Sequence, residues 1–149
     1  VRVRATRLLL FQDVRTHLTD FFFHILAGLE RHDVLRFDID ADAGTIEVEF
    51  QAQPEFTNPA GNIQGGFLAA MLDDTMGPAL AATLSRGEFA PTLNLNVSFE
   101  RVAKVGVIKG HGRVLKRGRD ICFLAGELYQ EGELIASATA TALIRAMPK

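Results

Sequence analysis

Gln64-Gly65-Gly66-Phe67-Leu68-Ala69-Ala70-Met71-Leu72-Asp73-Asp74-Thr75-Met76-Gly77-Pro78-Ala79-Leu80-Ala81-Ala82-Thr83-Leu84 carries a long apolar run whose spacing is helical rather than alternating. It predicts one long helix over 65–84. Pro78 is its blemish: a proline inside a helix removes a hydrogen bond and crowds the turn before it, which predicts a kink near Asp74 to Gly77. Steps of four from Gly65 give Gly65, Ala69, Asp73, Gly77 and Ala81, a single helix face on which every side chain is small except one carboxylate. A ligand, a neighbouring strand or a partner subunit would each suit so bare a face, and of the three only a ligand calls for the carboxylate.

Working outward, the segment before the helix, from Gln53 to Gly66, is a loop rich in proline, asparagine and glycine. Two short alternating runs precede it, Val34 to Ile39 and Thr45 to Phe50, joined by the turn chemistry of Asp40-Ala41-Asp42-Ala43-Gly44, and they predict a hairpin. Further upstream, Val14, Leu18, Phe21, Phe22, Ile25, Leu26 and Leu29 recur at helical spacing, which predicts an amphipathic N-terminal helix over 13–30, with Asp13 placed to cap it. After Pro91 the pattern becomes that of strands: Thr92 to Phe99, Val105 to Leu115, Ile121 to Tyr129 and Leu134 to Ile144, the last three joined by tight turns at Arg117-Gly118 and Glu131-Gly132. Ala136, Ala138, Ala140 and Ala142 give the last strand a face of small side chains, suited to packing against the long helix. Two strands, a helix and four strands, with no repeat or break, predict an α+β fold of one domain over 1–149: an antiparallel sheet wrapped around one long helix.

Composition narrows the function. Hydrophobic residues make up 48% of the 149 residues and charged ones 23%, a balance that folds and buries a core. The net charge of −2 gives no global field to attract polyanions, so nucleic acid is not expected as a partner. The apolar run Leu8 to Phe11 is too short for a signal-peptide core, and no stretch approaches a membrane span, so a soluble cytoplasmic protein is expected. Cys122 stands alone between Ile121 and Phe123, which reads as a buried strand thiol and excludes an intrachain disulfide. His17, His24, His32 and His111 are too scattered to form a metal site, and neither a metal nor a cofactor is expected. There is no Gly-x-Ser-x-Gly elbow, and Gly110-His111-Gly112 lacks the third glycine of a dinucleotide fingerprint.

The chemistry concentrates at the start and middle of the long helix. Gly65-Gly66 opens it, where unpaired N–H groups and the positive end of the dipole can hold developing negative charge; as a pair of residues it is equally a plain turn. Asp73, two turns along, is either a catalytic carboxylate or a structural, solvated one, and with Asp74 beside it one of the pair is expected to face solvent or cap a neighbouring turn. Lys116, Arg117 and Arg119 gather at a hairpin, as a solvated turn or as cations for a phosphorylated ligand.

Asn58, the Gln64-Gly65-Gly66 triplet, Asp73 and the Thr92 to Phe99 strand together resemble the motif of the PaaI-like hotdog thioesterases. That family shows an asparagine, then His-Gly-Gly, then an aspartate eight residues beyond the first glycine. The resemblance continues from Val114 to Ile144 through a Gly-Arg turn and an alanine-threonine final strand. It implies a hotdog fold and hydrolysis of a fatty-acyl-CoA or aryl-CoA to free acid and CoA. By that resemblance Gly65 donates its N–H to the thioester oxygen, Asp73 is nucleophile or general base, and Asn58 helps to position water or carbonyl. Gln64, Gly66, Thr92, Arg117 and Arg119 fall among the substrate-binding positions, and the site is shared between two subunits, so a homodimer or a dimer of dimers is implied. The departure is Gln64 in place of histidine: glutamine donates and accepts hydrogen bonds but does not titrate. A non-catalytic acyl-CoA-binding protein is therefore the rival reading. A hydratase on the same fold would want a histidine in this segment, which has none.

Overall fold

The computed structural model describes residues 2–6 and 34–147. The expected helix over 13–30, with Phe21, Phe22 and Phe23, lies outside these residues.

Alternation of buried and open side chains, interrupted by a bulge between Val34 and Arg36, builds the sheet. In β2 (Val34–Asp40) Phe37 and Ile39 turn inward, and in β3 (Thr45–Ala52) Ile46, Val48, Phe50 and Ala52 do the same. The turn between them is closed by Asp40, whose Oδ1 accepts the N–H groups of Asp42 (3.1 Å) and Ala43 (3.0 Å), and by Gly44 at φ +64°, a conformation that costs glycine little. A helix, α1 (Gly65–Ala81), follows, and then β5 (Thr92–Phe99), β6 (Gly106–Arg117), β7 (Ile121–Gln130) and β8 (Glu133–Leu143). β1 (Arg2–Thr6) pairs with β2, and the seven strands form one antiparallel sheet in the order β1-β2-β3-β6-β7-β8-β5. Two-residue strands β4 (Glu88–Phe89) and β9 (Arg145–Ala146) pair separately. The expected hairpin and four later strands are all present. β1 adds to them, because Arg2 and Arg4, alternating with Val3 and Ala5, read as a charged opening rather than as a strand.

The helix lies across the concave face, and Leu68, Leu72, Met76 and Leu80, four apart, form its buried stripe. Burying each such side chain contributes roughly 1.5–3 kcal/mol. It ends at Ala81 rather than Leu84: Thr83 and Leu84 donate to the carbonyls of Leu80 and Ala81, three residues back, which makes the last residues a tightened turn. Pro78 stays inside the helix and is buried, with no N–H to give to the carbonyl of Asp74.

The alanines of β8 are buried as expected, but the closest approach of helix to sheet is set elsewhere. A Cβ on Gly110 would stand 2.5 Å from Thr75 Oγ1, one on Gly112 2.5 Å from the Thr75 carbonyl oxygen, and one on Gly126 2.8 Å from Met76 Cγ. These three glycines form a notch into which the middle of α1 settles. Thr75 is fully buried there and satisfies its hydroxyl on the Met71 carbonyl at 2.6 Å.

The sheet face away from the helix mixes charged side chains with exposed apolar ones, Val107, Leu115, Ile121 and Phe123 among them. Asp38 takes hydrogen bonds from Arg2 and Arg4, and these bonds hold its carboxyl below the usual carboxylate range. Arg36 and Lys109 meet at Glu49, and Arg113 pairs with Glu127. Exposed pairs of this kind contribute about 0–1 kcal/mol each. Tyr129 packs edge-on to His111, centroids 5.4 Å apart, and its hydroxyl donates to Glu127 at 3.4 Å; burial, and then the Glu127 charge, push its pKa up.

Candidate active site

The bare face of α1 can now be assigned its neighbours. Gly65, Ala69, Asp73, Gly77 and Ala81 are all half-buried, flanking the fully buried stripe. A Cβ on Gly77 would meet nothing within 4 Å, so among the described residues no strand fills the space over that part of the face. A ligand or a second copy would each suit its small side chains.

Asp73 has a defined partner on that face. Thr92, the first residue of β5, donates its hydroxyl to Asp73 Oδ1 at 2.9 Å. One carboxylate oxygen is thus oriented by a short, rigid donor, and the side chain keeps a fixed direction toward the open side of the helix. Thr92 is placed there by a bulge at Leu93: Thr92 stays opposite Ala142 and Asn94 opposite Thr141.

At the helix start, Gln64 stands in the N-cap position, extended at φ −69° and ψ 139°. Its carbonyl accepts the N–H groups of Phe67 (3.0 Å) and Leu68 (3.4 Å), which leaves the N–H groups of Gly65 and Gly66 ahead of any helical acceptor. Its side chain folds over Gly66, with Oε1 2.9 Å from where a Cβ would stand. The ring edge of Phe99 occupies the corresponding place at Gly65, with Cζ at 3.0 Å. Phe56 and Phe67 stack beside this turn, centroids 4.4 Å apart and planes at 17°.

Asn58 serves its own loop. Its Oδ1 accepts from Ala60 (3.0 Å) and Asn62 (3.2 Å), and its main chain bonds to Asn62 and Gly61, so its side-chain oxygen is committed and only its amide NH₂ is left to meet a ligand. Lys104 pins that loop from outside through Asn62, and the Ala103 carbonyl accepts from Ile63 at 2.8 Å. Arg117 pairs with Glu88 at 3.4 Å, and Arg119 with its neighbour Asp120 at 3.3 Å. The register Arg117–Cys122–Ala142–Thr92 runs straight across the sheet, which puts this basic hairpin three strand spacings, roughly 14 Å, from Thr92. Among the described residues no group of three or more His, Cys, Asp or Glu could hold a metal, and no helix is long and apolar enough to cross a membrane.

Comparison with known proteins converges on one family. The sequence profile described as Thioesterase superfamily matches residues 60–137, the span that holds Gly65, Asp73 and Thr92. Human acyl-coenzyme A thioesterase 13 is 32% identical over 108 residues, covering 69% of this chain and 75% of that protein. This chain belongs to the thioesterase superfamily. A crystal structure of a phenylacetic acid degradation-related protein from Ralstonia eutropha JMP134 is 43% identical, with a TM-score of 0.72 over 79% of this chain and 88% of that one. A Streptococcus mutans UA159 protein bound to acetyl CoA, 23% identical, has a TM-score of 0.64 over 71% and 85% of the two chains, and speaks for the fold alone. The α+β hotdog arrangement and its class, thioester hydrolase, are those expected from the sequence.

Sequence reading of the thioesterase site missed Phe99 and Lys104. Phe99 carried a signal of a kind, as the last member of the Leu93, Leu95, Val97, Phe99 face. Lys104 carried none, since its bond to Asn62 spans 42 residues.

Proposed function

We propose that this thioesterase hydrolyses acyl-CoA thioesters at a site shared between two copies of the chain. The observation that carries the reading is the Asp73–Thr92 pair in the middle of α1, set apart from the open N–H groups of Gly65 and Gly66 at its start. Eight residues of helix separate the two by about 12 Å. An oxyanion donor and a catalytic carboxylate must each lie ~3 Å from the reacting group, so one copy supplies one of them and its partner the other. Edge strand β5 suits that pairing. It runs Thr-Leu-Asn-Leu-Asn-Val-Ser-Phe with no charge or proline to blunt its open edge, and Leu93 is exposed along it.

The thioester oxygen accepts the Gly65 N–H, where the helix start stabilises the negative charge of the tetrahedral intermediate. Asp73, held by Thr92, either takes a proton from the attacking water or attacks the carbonyl carbon itself. As base, it lets the water oxygen bond to carbon; the C–S bond then breaks, and the proton passes to the leaving CoA sulfur. As nucleophile, its oxygen bonds to the carbonyl carbon as the C–S bond breaks and CoA leaves as thiolate; water then opens the anhydride, restoring the carboxylate, releasing the acid and supplying the proton for the thiolate. Gln64 hydrogen-bonds beside the donors without titrating, and Asn58 shapes the loop that leads into them. Arg117 and Arg119 lie within reach of the far, phosphorylated end of CoA, and the name of the human relative directs the reading to CoA esters. The lone buried Cys122 fits a reducing, cytoplasmic setting.

Gln64 also favours a second reading, a protein that binds acyl-CoA and turns it over poorly. Release of free thiol from a panel of fatty-acyl and aryl-CoA esters, followed colorimetrically, decides between them. Steady turnover supports the hydrolase, whereas saturable binding without thiol release supports the binder.

A further inference from the structure

We propose that Phe99 is a specificity-determining residue of this thioesterase, walling the Gly65 donor so that acyl groups branched at the carbon next to the carbonyl are excluded. The inference rests on the reading of Gly65 as the donor to the thioester oxygen. The ring edge stands where a side chain at position 65 would begin, with Cζ, Cε1 and Cε2 at 3.0, 3.3 and 3.4 Å from an ideal Cβ. Phe99 reaches this point from the end of β5, on the strand face that sends Leu95 and Val97 toward the core, yet it is 55% exposed. A large ring left half in water beside an open backbone donor has apolar area still to bury. On the other side, the Gln64 amide crowds Gly66. The donors therefore sit in a notch between a ring and an amide.

A carbonyl oxygen that accepts the Gly65 N–H lies about 2.9 Å from that nitrogen, and the α-carbon of the acyl group is only two bonds from that oxygen. A methyl group needs ~3.5–4.0 Å from each ring carbon. An unbranched chain can leave along the ring, whereas a branch at the α-carbon must enter the space that the ring fills. Discrimination by one methyl group in an apolar site is commonly about 10- to 200-fold.

The test measures kcat/KM for hexanoyl-CoA and for its α-methyl derivative, and for phenylacetyl-CoA and its α-methyl derivative, in the wild type, Phe99→Ala, Phe99→Leu and Phe99→Tyr. Light scattering accompanies each variant. The wild type is expected to prefer the unbranched ester by about tenfold or more. Phe99→Ala and Phe99→Leu should bring the ratio toward one by raising kcat/KM for the branched ester, and Phe99→Tyr should keep the preference; mass should stay unchanged in all. A wild type without the preference overturns the inference, as does an unchanged ratio in both truncations. So does an equal loss on all esters with a fall in mass, which would make Phe99 a subunit contact. In each of these cases, turnover by the wild type leaves the hydrolase reading standing. A wild type that hydrolyses no ester overturns that reading, and this inference with it.

Discussion

Two adjacent carboxylates sit in the middle of an apolar helix, and one of them, Asp73, receives the Thr92 hydroxyl. Asparagine at 73 keeps the shape and the hydrogen bond but is neither a base nor a nucleophile. Asp73→Asn is therefore expected to lower kcat by ~10²–10⁴-fold while acyl-CoA binding and the thermal transition stay near those of the wild type. Asp74→Asn, about 100° around the helix, is the matched comparison. Equal losses in the two variants would make Asp73 structural. Gln64 poses the opposite question, since it fills a position where the resembling family uses histidine. Gln64→His should leave kcat/KM similar or raise it. A drop of more than ~tenfold, about 1.4 kcal/mol of transition-state stabilisation, would show that the amide over Gly66 makes a contact imidazole cannot reproduce. Gly65 and Asp73 stand out in the sequence as bare backbone at a helix start and charge on an apolar face, whereas Thr92 is singled out only by the family resemblance, and its bond to Asp73 comes from the fold. The loop-shaping role of Asn58 was not legible, because an Asx turn and a ligand contact ask for the same residue.

Seating α1 on the sheet depends on the glycine notch in β6 and β7. Gly112→Ala would drive its methyl against the Thr75 carbonyl oxygen, a backbone atom that yields only if the whole helix shifts. It should destabilise the fold by ~1–3 kcal/mol, read as a lower denaturation midpoint with little change in slope. An unchanged midpoint for Gly112→Ala would mean that the helix has room to move. Most of this layer was legible in the pattern of residues. The alternation in Ile46, Val48 and Phe50 and the four-residue spacing of Leu68, Leu72, Met76 and Leu80 declare which side of each element is buried. What the pattern hides is distance. Gly110 and Gly112 read as a failed nucleotide fingerprint, and only the fold shows that they are absent side chains making room for Thr75. The end of α1 was placed three residues late because Ala82, Thr83 and Leu84 continue the apolar pattern while their hydrogen bonds have already tightened.

At the scale of the molecule, the proposed site joins the start of α1 in one copy to the middle of α1 in another, so the proposal makes assembly part of the chemistry. Light scattering should return a mass at least twice 16.3 kDa. A sharper measurement mixes two damaged chains. Gly65→Ala, which adds a methyl beside the donor and against the Phe99 ring, and Asp73→Asn should each be nearly inactive alone. Refolded together in equal amounts they should recover about a quarter of wild-type activity, because half the dimers are mixed and each mixed dimer has one site free of both substitutions. No recovery would place donor and carboxylate in the same chain. The refolding itself can be followed without a label, for a reason that lies on the sheet face away from the helix. The chain has no tryptophan and a single tyrosine, Tyr129, seated against His111 with its hydroxyl on Glu127. Its near-ultraviolet emission comes from that one ring on β7, and the carboxylate and imidazole beside it act as built-in quenchers. Unfolding parts the ring from both and should brighten the signal, so the protein carries its own optical gauge of the sheet, on the side away from the helix.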